Sequence, residues 1–366
     1  MSILKTCIKI PGKNNCPVTE LFDPQFFAGH PSILLLYDAN VEKYAFAINR
    51  FLKKQIPAHK TVIFMEAVPP GEQSKSLEMV QKIATEYAGS LQKDSLIVCI
   101  GGGMVCDLGG FIAASLLRGI DHILIPTTLL AQIDAAIGGK TAVNLPTGKN
   151  LLGFFHLPKA VLIRSKWLNS LNKTEMDSGW GELLKTAAID SAGFFNQVYA
   201  SFLQRPIPPE LLHNYIKKAI HTKKRLVRHD FLDKGQRRLL NFGHTIGHAI
   251  EAAADCQIPH GICIMAGMAV ETDLGLKYGL CSPEFAARLW TIAKEFIPFR
   301  AFLKPDTMLS CLCRDKKNQG RNISFALLKK PGCPVKNEGN YTVDIPVEQI
   351  KSDLIPLMQK LLTDTT

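Results

Sequence analysis

Residues 95–110 read SLIVCIGGGMVCDLGG. The first part, SLIVCI, is a short apolar run of the kind that forms a buried strand. It leads into Gly101-Gly102-Gly103, and a helix of small residues is expected over about 104–117. A strand, a glycine turn and a helix let backbone amides approach a pyrophosphate, and the helix N-terminus favours the negative charge. Glycine suits the turn because a side chain would block that approach. The spacing is Gly101-x-Gly103-x-x-Cys106, so a cysteine stands where the usual third glycine would be. The same pattern also serves an ordinary tight turn.

Working outward, the flanking chain alternates between the two periodicities. Residues 32–37 (SILLLY), 61–68 and 122–125 read as strands, the second broken by Pro69-Pro70-Gly71 and the last by Pro126. Residues 41–54 and 76–91 have helical spacing. Alternation of this kind argues for an α/β fold, a parallel sheet with helices on its faces. Beyond Asn172 the character changes. Helical patterns fill 175–189, 210–228, 237–254, 262–278 and 282–296, and a strand signal returns only at 323–328. Two domains are therefore expected, 1–172 and 173–366, and at roughly 100–200 residues per domain the length of 366 agrees.

Hydrophobic residues make up 46% of the chain and charged residues 20%, ordinary for a globular protein with a sizeable core. The longest apolar stretches are interrupted by Asp107, Arg118, Asp121 and Asp134, short of the ~18 residues a membrane helix needs. The opening MSILKTCIKIPGKNN is too short in its apolar part for a secretory leader, so none is expected. Ten cysteines are scattered without a CxxC pair, which reads as reduced thiols in a cytoplasmic protein. The net charge of +11 raises nucleic acid as a partner. The basic residues are dispersed except at 217–228 and 314–321, and no aromatic residues interleave them for base stacking. A basic surface or an anionic small substrate accounts for the charge without nucleic acid.

The glycine turn is the first of three groups of residues that could carry chemistry, and the histidines are the second. His244 and His248 are four apart, so on a helix they share a face. With Glu182 and His260 they offer the composition of a catalytic zinc site, glutamate plus two histidines and an open position. Both histidines could bind one metal, or one could bind metal and the other substrate. Two surface or core histidines would show the same spacing. In the third group, Asp134, Lys140 and Asn144, then Lys149 and Asn150, stand among glycines and apolar residues. Lysines beside such turns suit phosphate and carboxylate recognition, and a solvated loop would account for the lysines but not for their apolar surroundings.

Taken together these segments resemble the 3-dehydroquinate synthase family of sugar-phosphate cyclases. The resemblance rests on 125–144 (IPTTLLAQIDAAIGGKTAVN) with Gly148-Lys149-Asn150, on 101–110, on 181–185 (GELLK) and on 240–251 (LNFGHTIGHAIE). Asp38-Ala39-Asn40, 71–75 (GEQSK), His260-Gly261 and Asp315-Lys316-Lys317 follow in family order. It implies an N-terminal Rossmann-like domain that binds NAD and a C-terminal, mainly α-helical metal-binding domain, with the active site in the cleft. It also implies that Glu182, His244 and His260 hold a divalent ion, Zn2+ or Co2+, and that His248 contacts substrate. The implied NAD set is Asp38, Asn40, Gly71, Glu72, Lys75, Gly102, Gly103, Met104, Asp107, Thr127, Thr128, Lys140 and Lys149, with the turn Trp167, Leu168, Asn169, Ser170 closing over it. Lys140, Asn150, Lys185, Lys223, Arg237, Asn241 and His248 form the implied catalytic set. Asp134, Lys149 and one of Lys316 or Lys317 join them on substrate, and Arg118 would reach a neighbouring subunit's site in a homodimer.

The reaction so implied belongs to the shikimate route to aromatic amino acids. In it 3-deoxy-D-arabino-heptulosonate 7-phosphate is transiently oxidised by NAD+, loses phosphate, is re-reduced and closes to 3-dehydroquinate by an intramolecular aldol step. Converging lysines and an arginine suit a substrate with a carboxylate and a phosphate. Three positions depart from the family pattern: Ile262 and Phe231 stand where acidic residues are usual, and Lys224 where alanine is common. Alternatives are another sugar-phosphate cyclase, disfavoured by Arg237, Asn241, His248, Lys140 and Asn150, and a metal-dependent polyol dehydrogenase, disfavoured by Lys140, Lys149 and Asn150.

Overall fold

The apolar run that ends in three glycines is strand β5 of a seven-stranded sheet in the computed structural model of the chain, which describes residues 3–57, 59–303, 305–314, 322–337 and 339–363. Two units separate, Met1–Leu171 with Ile216–Arg228, and Asn172–Tyr215 with His229–Thr366.

In the first unit the chain runs β1 (Lys5–Ile8), β2 (Cys16–Thr19), β3 (Ser32–Asp38), α1 (Glu42–Gln55), β4 (Val62–Val68), α2 (Leu77–Tyr87), β5 (Leu96–Gly101), α3 (Gly103–Ser115), β6 (Asp121–Pro126), β7 (Lys140–Leu145), β8 (Gly148–Phe155) and β9 (Ala160–Leu162). The sheet order is β1-β2-β9-β6-β5-β3-β4, parallel throughout except for β1. β3 and β5 are wholly or almost wholly buried, which is why they read as continuous apolar runs. Ile33, Leu35, Val98, Ile100, Ile123 and Ile125 share one core with Ala45, Ile48 and Leu52 of α1. The chain passes from β3 outward to β4 and then back across to β5, so the strand order reverses between β3 and β5. Ligands of open α/β sheets bind at such a switch, beyond the carboxyl ends of the strands.

The replaced third glycine has a structural answer. Its usual task is close packing of helix on strand. Here Gly109 does this: a Cβ there would lie 2.3 Å from Cys99 Sγ of β5. One residue on, a Cβ at Gly110 would lie 2.5 Å from Thr141 Cγ2 of β7.

The second unit contains α4 (Lys173–Asp190), α5 (Ala192–Leu203), α6 (Pro209–His229, of which Ile216–Arg228 counts with the first unit), α7 (His244–Ala253), α8 (His260–Lys277), α9 (Pro283–Ala293) and α10 (Pro305–Arg314). Short strands β10 (Asn322–Phe325), β11 (Leu328–Lys330), β12 (Cys333–Pro334) and β13 (Val343–Pro346) precede α11 (Val347–Thr363). The single helix expected over 237–254 is broken. Gln236–Asn241 forms a 3-10 segment, and Gly243, at φ 77°, turns the chain before α7 begins. No helix of the described residues is long and apolar enough to cross a membrane.

Candidate active site

At the carboxyl edge of the sheet, Asp38, Gly101 and Thr127 end or follow three adjacent strands, β3, β5 and β6. The Thr127 amide donates to the Gly101 carbonyl at 2.8 Å, and the Asp38 carboxylate accepts from the Asn40 amide at 2.9 Å. A Cβ on Gly102 would lie 3.1 Å from Thr128 Cγ2. No side chain caps the start of α3, and no acidic residue occupies its first turn. The amides of Gly103 and Met104 thus face an edge suited to an anion.

Beside this turn, Lys75 is 4% exposed and donates to Asp107 at 2.6 Å and to the Asn150 side-chain oxygen at 2.5 Å, with Glu72 at 3.6 Å. Burial opposes its charge, but the Asp107 and Glu72 carboxylates outweigh burial and hold the ammonium above its ordinary range. Asn144 completes the network. Its side chain donates to Glu72 at 2.9 Å and accepts from the Asn150 amide at 3.0 Å, so the Glu72 turn is tied to the β7–β8 hairpin. Asn144 closes the 125–144 segment, and the family resemblance implies no role for it. Asn150 lies in β8, close to the register shift of that hairpin, with the left-handed φ of 55° that asparagine adopts more readily than most residues. Lys149 lies close enough to Lys75 to repel its charge. Lys140 is exposed at the start of β7, a hairpin where a loop was one reading.

Asp134 sits on a π-helical turn, Ala131–Ala135, a feature frequent at functional sites. Lys223 donates to its carbonyl at 2.6 Å and its carboxylate at 2.7 Å. Lys224, a departure from the family pattern, donates to the Thr6 hydroxyl. Residues Ser165–Ser170 form a 3-10 turn. Trp167 and Leu168 are buried, Trp167 edge-on to Phe22 at 5.6 Å, so these side chains belong to the core. Lys166, Asn169 and Ser170 are exposed there. Arg118 is exposed at the opposite end of α3 from the glycine turn. Lys316 and Lys317 lie outside the described residues.

In the second unit a contact between glycines brings α4 and α8 together. A Cβ on Gly181 would lie 2.1 Å from the Gly261 carbonyl oxygen, and one on Gly261 1.8 Å from the Ser178 carbonyl oxygen. Each glycine adjoins a candidate metal ligand, Glu182 and His260. Glu182 is fully buried, with Oε1 3.2 Å from His260 Nε2 and 3.5 Å from His244 Nε2. Two ligands ~2.1 Å from one tetrahedral zinc ion lie about 3.4 Å apart, so this spacing fits a shared metal. Glu182 Oε2 is held by the buried Lys185 ammonium at 2.5 Å, leaving Oε1 toward the rings.

Each ring is also braced from behind. His244 Nδ1 lies 3.2 Å from the Phe242 carbonyl, and His260 Nδ1 lies 3.2 Å from Glu251 Oε2. Bracing of this kind fixes the tautomer that offers Nε2 to a metal. Glu251 thus supplies the acidic partner that Ile262 cannot, and sequence reasoning passed over it although it closes the quoted 240–251 segment. Packing opposes charge on His260, yet the hydrogen bonds to Glu182 and Glu251 outweigh it and hold the ring up to about 10. The cluster therefore favours a cation among its carboxylates, and the donor set fits a divalent ion.

His248 is half-buried, its ring centroid 5.1 Å from that of His244 and 5.8 Å from that of His260. The ligand atoms of His244, His248 and His260 lie within 4.8 Å of one another, so a three-histidine set overlaps the one with Glu182. Glu271, also missed, is a fully buried acid on α8 that accepts from the Gly243 amide at 2.7 Å and the Ile246 amide at 2.9 Å. It caps α7 and so fixes where His244 and His248 point. Its signal in the sequence is an acid inside the apolar run 262–276. Arg237 is buried and donates to the Phe231 carbonyl at 2.6 Å, so the residue at this departure acts through its backbone. Asp230 accepts from the amides of Lys234, Gly235 and Arg237, holding the loop that carries Arg237. Asn241 ends the 3-10 segment just before Gly243.

Comparison with known proteins gives two family matches, "3-dehydroquinate synthase N-terminal" over residues 65–178 and "3-dehydroquinate synthase C-terminal" over 179–318. The chain is 36% identical over 305 residues to the 3-dehydroquinate synthase of Thermoanaerobacter pseudethanolicus, covering 81% of this chain and 84% of that one. It is 38% identical over 321 residues to that of Bacillus pumilus, covering 86% of each. Among solved structures it is similar in fold to 2-deoxy-scyllo-inosose synthase complexed with carbaglucose-6-phosphate, NAD+ and Co2+, with a TM-score of 0.80 at 22% identity over 96% of this chain and 99% of that one.

Proposed function

The chain belongs to the 3-dehydroquinate synthase family, and from that membership we propose that it converts 3-deoxy-D-arabino-heptulosonate 7-phosphate to 3-dehydroquinate and phosphate, as an NAD- and metal-dependent carbon–oxygen lyase. The observation that carries the reading is the buried Glu182 carboxylate, turned to His244 and His260 by one oxygen and to Lys185 by the other. When bound, NAD+ supplies a hydride acceptor that is restored within the cycle, and the divalent ion, Zn2+ or Co2+, lowers the pKa of the hydroxyl to be oxidised.

Glu182, His244 and His260 hold the ion, and His248 and Asn241 contact substrate beside it. The Gly101–Gly103 turn and Met104 receive the pyrophosphate of NAD+, and Asp38 with Asn40 lies at the strand edge next to it. Lys75 is engaged with Asp107, Glu72 and Asn150 and orders that edge. Lys140, Lys149, Asn150, Lys223, Arg237 and Lys185 pair with the substrate's carboxylate and phosphate, with Asp134 aligning Lys223. The substrate's own phosphate accepts the proton lost in the elimination. The enzyme is cytoplasmic and homodimeric, with Arg118 of one copy serving the partner's site.

Incubation with the heptulosonate phosphate, NAD+ and Zn2+ or Co2+ tests this. Phosphate and 3-dehydroquinate, identified by mass and NMR, should appear in equal amounts without accumulation of NADH. A steady rise in NADH would identify a polyol dehydrogenase instead. A different carbocycle would identify another sugar-phosphate cyclase.

A further inference from the structure

Beyond the end of α3 the chain turns through three left-handed residues. Leu117, Arg118 and Gly119 have φ of 50°, 60° and 102°. Glycine takes that conformation freely, but leucine and arginine crowd their own backbone in it. Strain of this kind persists only where the surroundings over-determine it, and it gathers at functional sites. A turn alone needs no arginine, since glycine or asparagine would make it with less strain. The Arg118 side chain is exposed, and among the described residues its guanidinium has no hydrogen bond or ion pair. The strained turn therefore presents this side chain outward.

The restraint on the turn comes from Lys93, which donates to the carbonyls of Leu117 and Arg118, each at 3.2 Å, and to that of Gly119. An ammonium has three N–H donors, and three carbonyls of one turn take them. Carbonyls just past the C-terminus of a helix lack partners within it and attract a cation. Lys93 can hold them because its own backbone is anchored. It lies between α2 and β5, where the Gln92 amide donates to the Ser95 hydroxyl at 2.7 Å and the Ser95 amide to the Gln92 carbonyl at 3.0 Å. The buried hydroxyls of Ser95 and Ser32 of β3 are hydrogen-bonded at 2.6 Å. On the far side, the Ile120 amide donates to the Ala113 carbonyl at 2.8 Å, and His156 Nε2 lies 3.1 Å from the Ile120 carbonyl. Of these side chains, only Lys93 bonds the strained residues themselves.

We propose that Lys93 is a positioning residue for the reaction. By joining the three carbonyls it keeps the 117–119 turn left-handed and sets the direction in which Arg118 leaves the protein. The proposal rests on the reading above, in which Arg118 of one copy serves the partner's site. Lys93 touches no substrate and acts on the partner's chemistry through Arg118. Without its donors the turn relaxes toward right-handed backbone and swings the guanidinium away from the substrate's anionic groups. The defect then belongs to the partner's site and not to the site of the chain that carries the change. A lysine with a merely structural task would instead weaken its own chain.

The experiment is phosphate release from the heptulosonate phosphate by the full-length, metal-loaded enzyme with NAD+. Lys93→Met keeps the stem and removes the donors, and it should lower kcat/KM roughly tenfold, chiefly by raising KM. Should it fail to fold, Lys93→Gln takes its place with the same outcomes. Arg118→Ala should be impaired in the same way, and the double variant should be no worse than Arg118→Ala, because the two residues act as a unit. The decisive sample is a mixed dimer of Lys93→Met and His248→Ala chains, isolated through two different affinity tags. Its one working site receives Arg118 from the chain whose Lys93 is native, so that site should recover native kcat/KM. A site still impaired in the mixed dimer, or additive losses in the double variant, would show that Lys93 acts within its own chain and overturn the proposal. Native kinetics in Lys93→Met beside an impaired Arg118→Ala would overturn the role of Lys93 and spare that of Arg118. Native kinetics in Arg118→Ala would sink both.

Discussion

Glu182 and His260 were legible as candidates because carboxylate and imidazole side chains in a helical, small-residue setting have few other uses. Their roles relative to His248 were not, since HxxxH spacing gives a shared face and no distances. The structure narrows this to two overlapping sets. Replacing His260 with alanine should abolish metal retention, measured by elemental analysis after gel filtration. His248→Ala should keep the metal and lose turnover. If His248→Ala also strips the metal, the ligand set is the three histidines. Asp230 illustrates a residue whose task was invisible because its partners are backbone amides. Burial works against its charge, but the amides of Lys234, Gly235 and Arg237 outweigh burial and hold the carboxyl below its ordinary range. A folded pKa below the unfolded ~3.9 gives stability that is present above that value and lost as pH falls through the folded one. Urea midpoints should therefore fall with acidification below about pH 4 in the native protein and fall less steeply in Asp230→Asn.

At the scale of elements, the parallel sheet was readable because β3, β5 and β6 are buried on both faces, and their apolar runs are bounded by glycine or proline. The hairpin β7–β8 was not. Its lysines and glycines resemble a loop, and only pairing with β7 shows otherwise. The break before α7 was hidden because 237–254 keeps helical spacing on both sides of Gly243, while its cause, the Glu271 carboxylate, lies in α8. The α4–α8 crossing is likewise a long-range fact, set by Gly181 and Gly261. Either glycine to alanine would force a Cβ into backbone and should cost about 1–3 kcal/mol, the usual range for overpacking. Denaturant unfolding should show that loss together with reduced metal content, because the same crossing sets the distance from Glu182 to His260. Gly193→Ala, where a Cβ meets nothing within 4 Å, is the control and should be neutral or stabilising. Equal losses at Gly193 and Gly261 would sink the crossing argument.

At the scale of the whole molecule, composition revealed almost nothing of the activity. A net charge of +11 fits a basic surface or an anionic substrate equally well, and the family resemblance carried the decision. What the fold adds is a division of labour. The glycine turn, Asp38, Thr127 and the Lys75 network lie in the first unit, while Glu182, His244, His248 and His260 lie in the second. Each ligand should therefore protect its own set of elements. A ligand at a hundred times its Kd stabilises the state that binds it by about 2.7 kcal/mol. Amides that exchange only when that state opens should slow about a hundredfold. Hydrogen exchange read by mass spectrometry should show NAD+ slowing β5 and the start of α3. Removing the metal with a chelator should speed exchange in α4, α7 and α8, around Glu182, His244 and His260, and readdition of Zn2+ should reverse it. NAD+ protection confined to α4, α7 and α8, with α3 unchanged, would contradict the placement of the nucleotide at the glycine turn and leave the metal assignment standing.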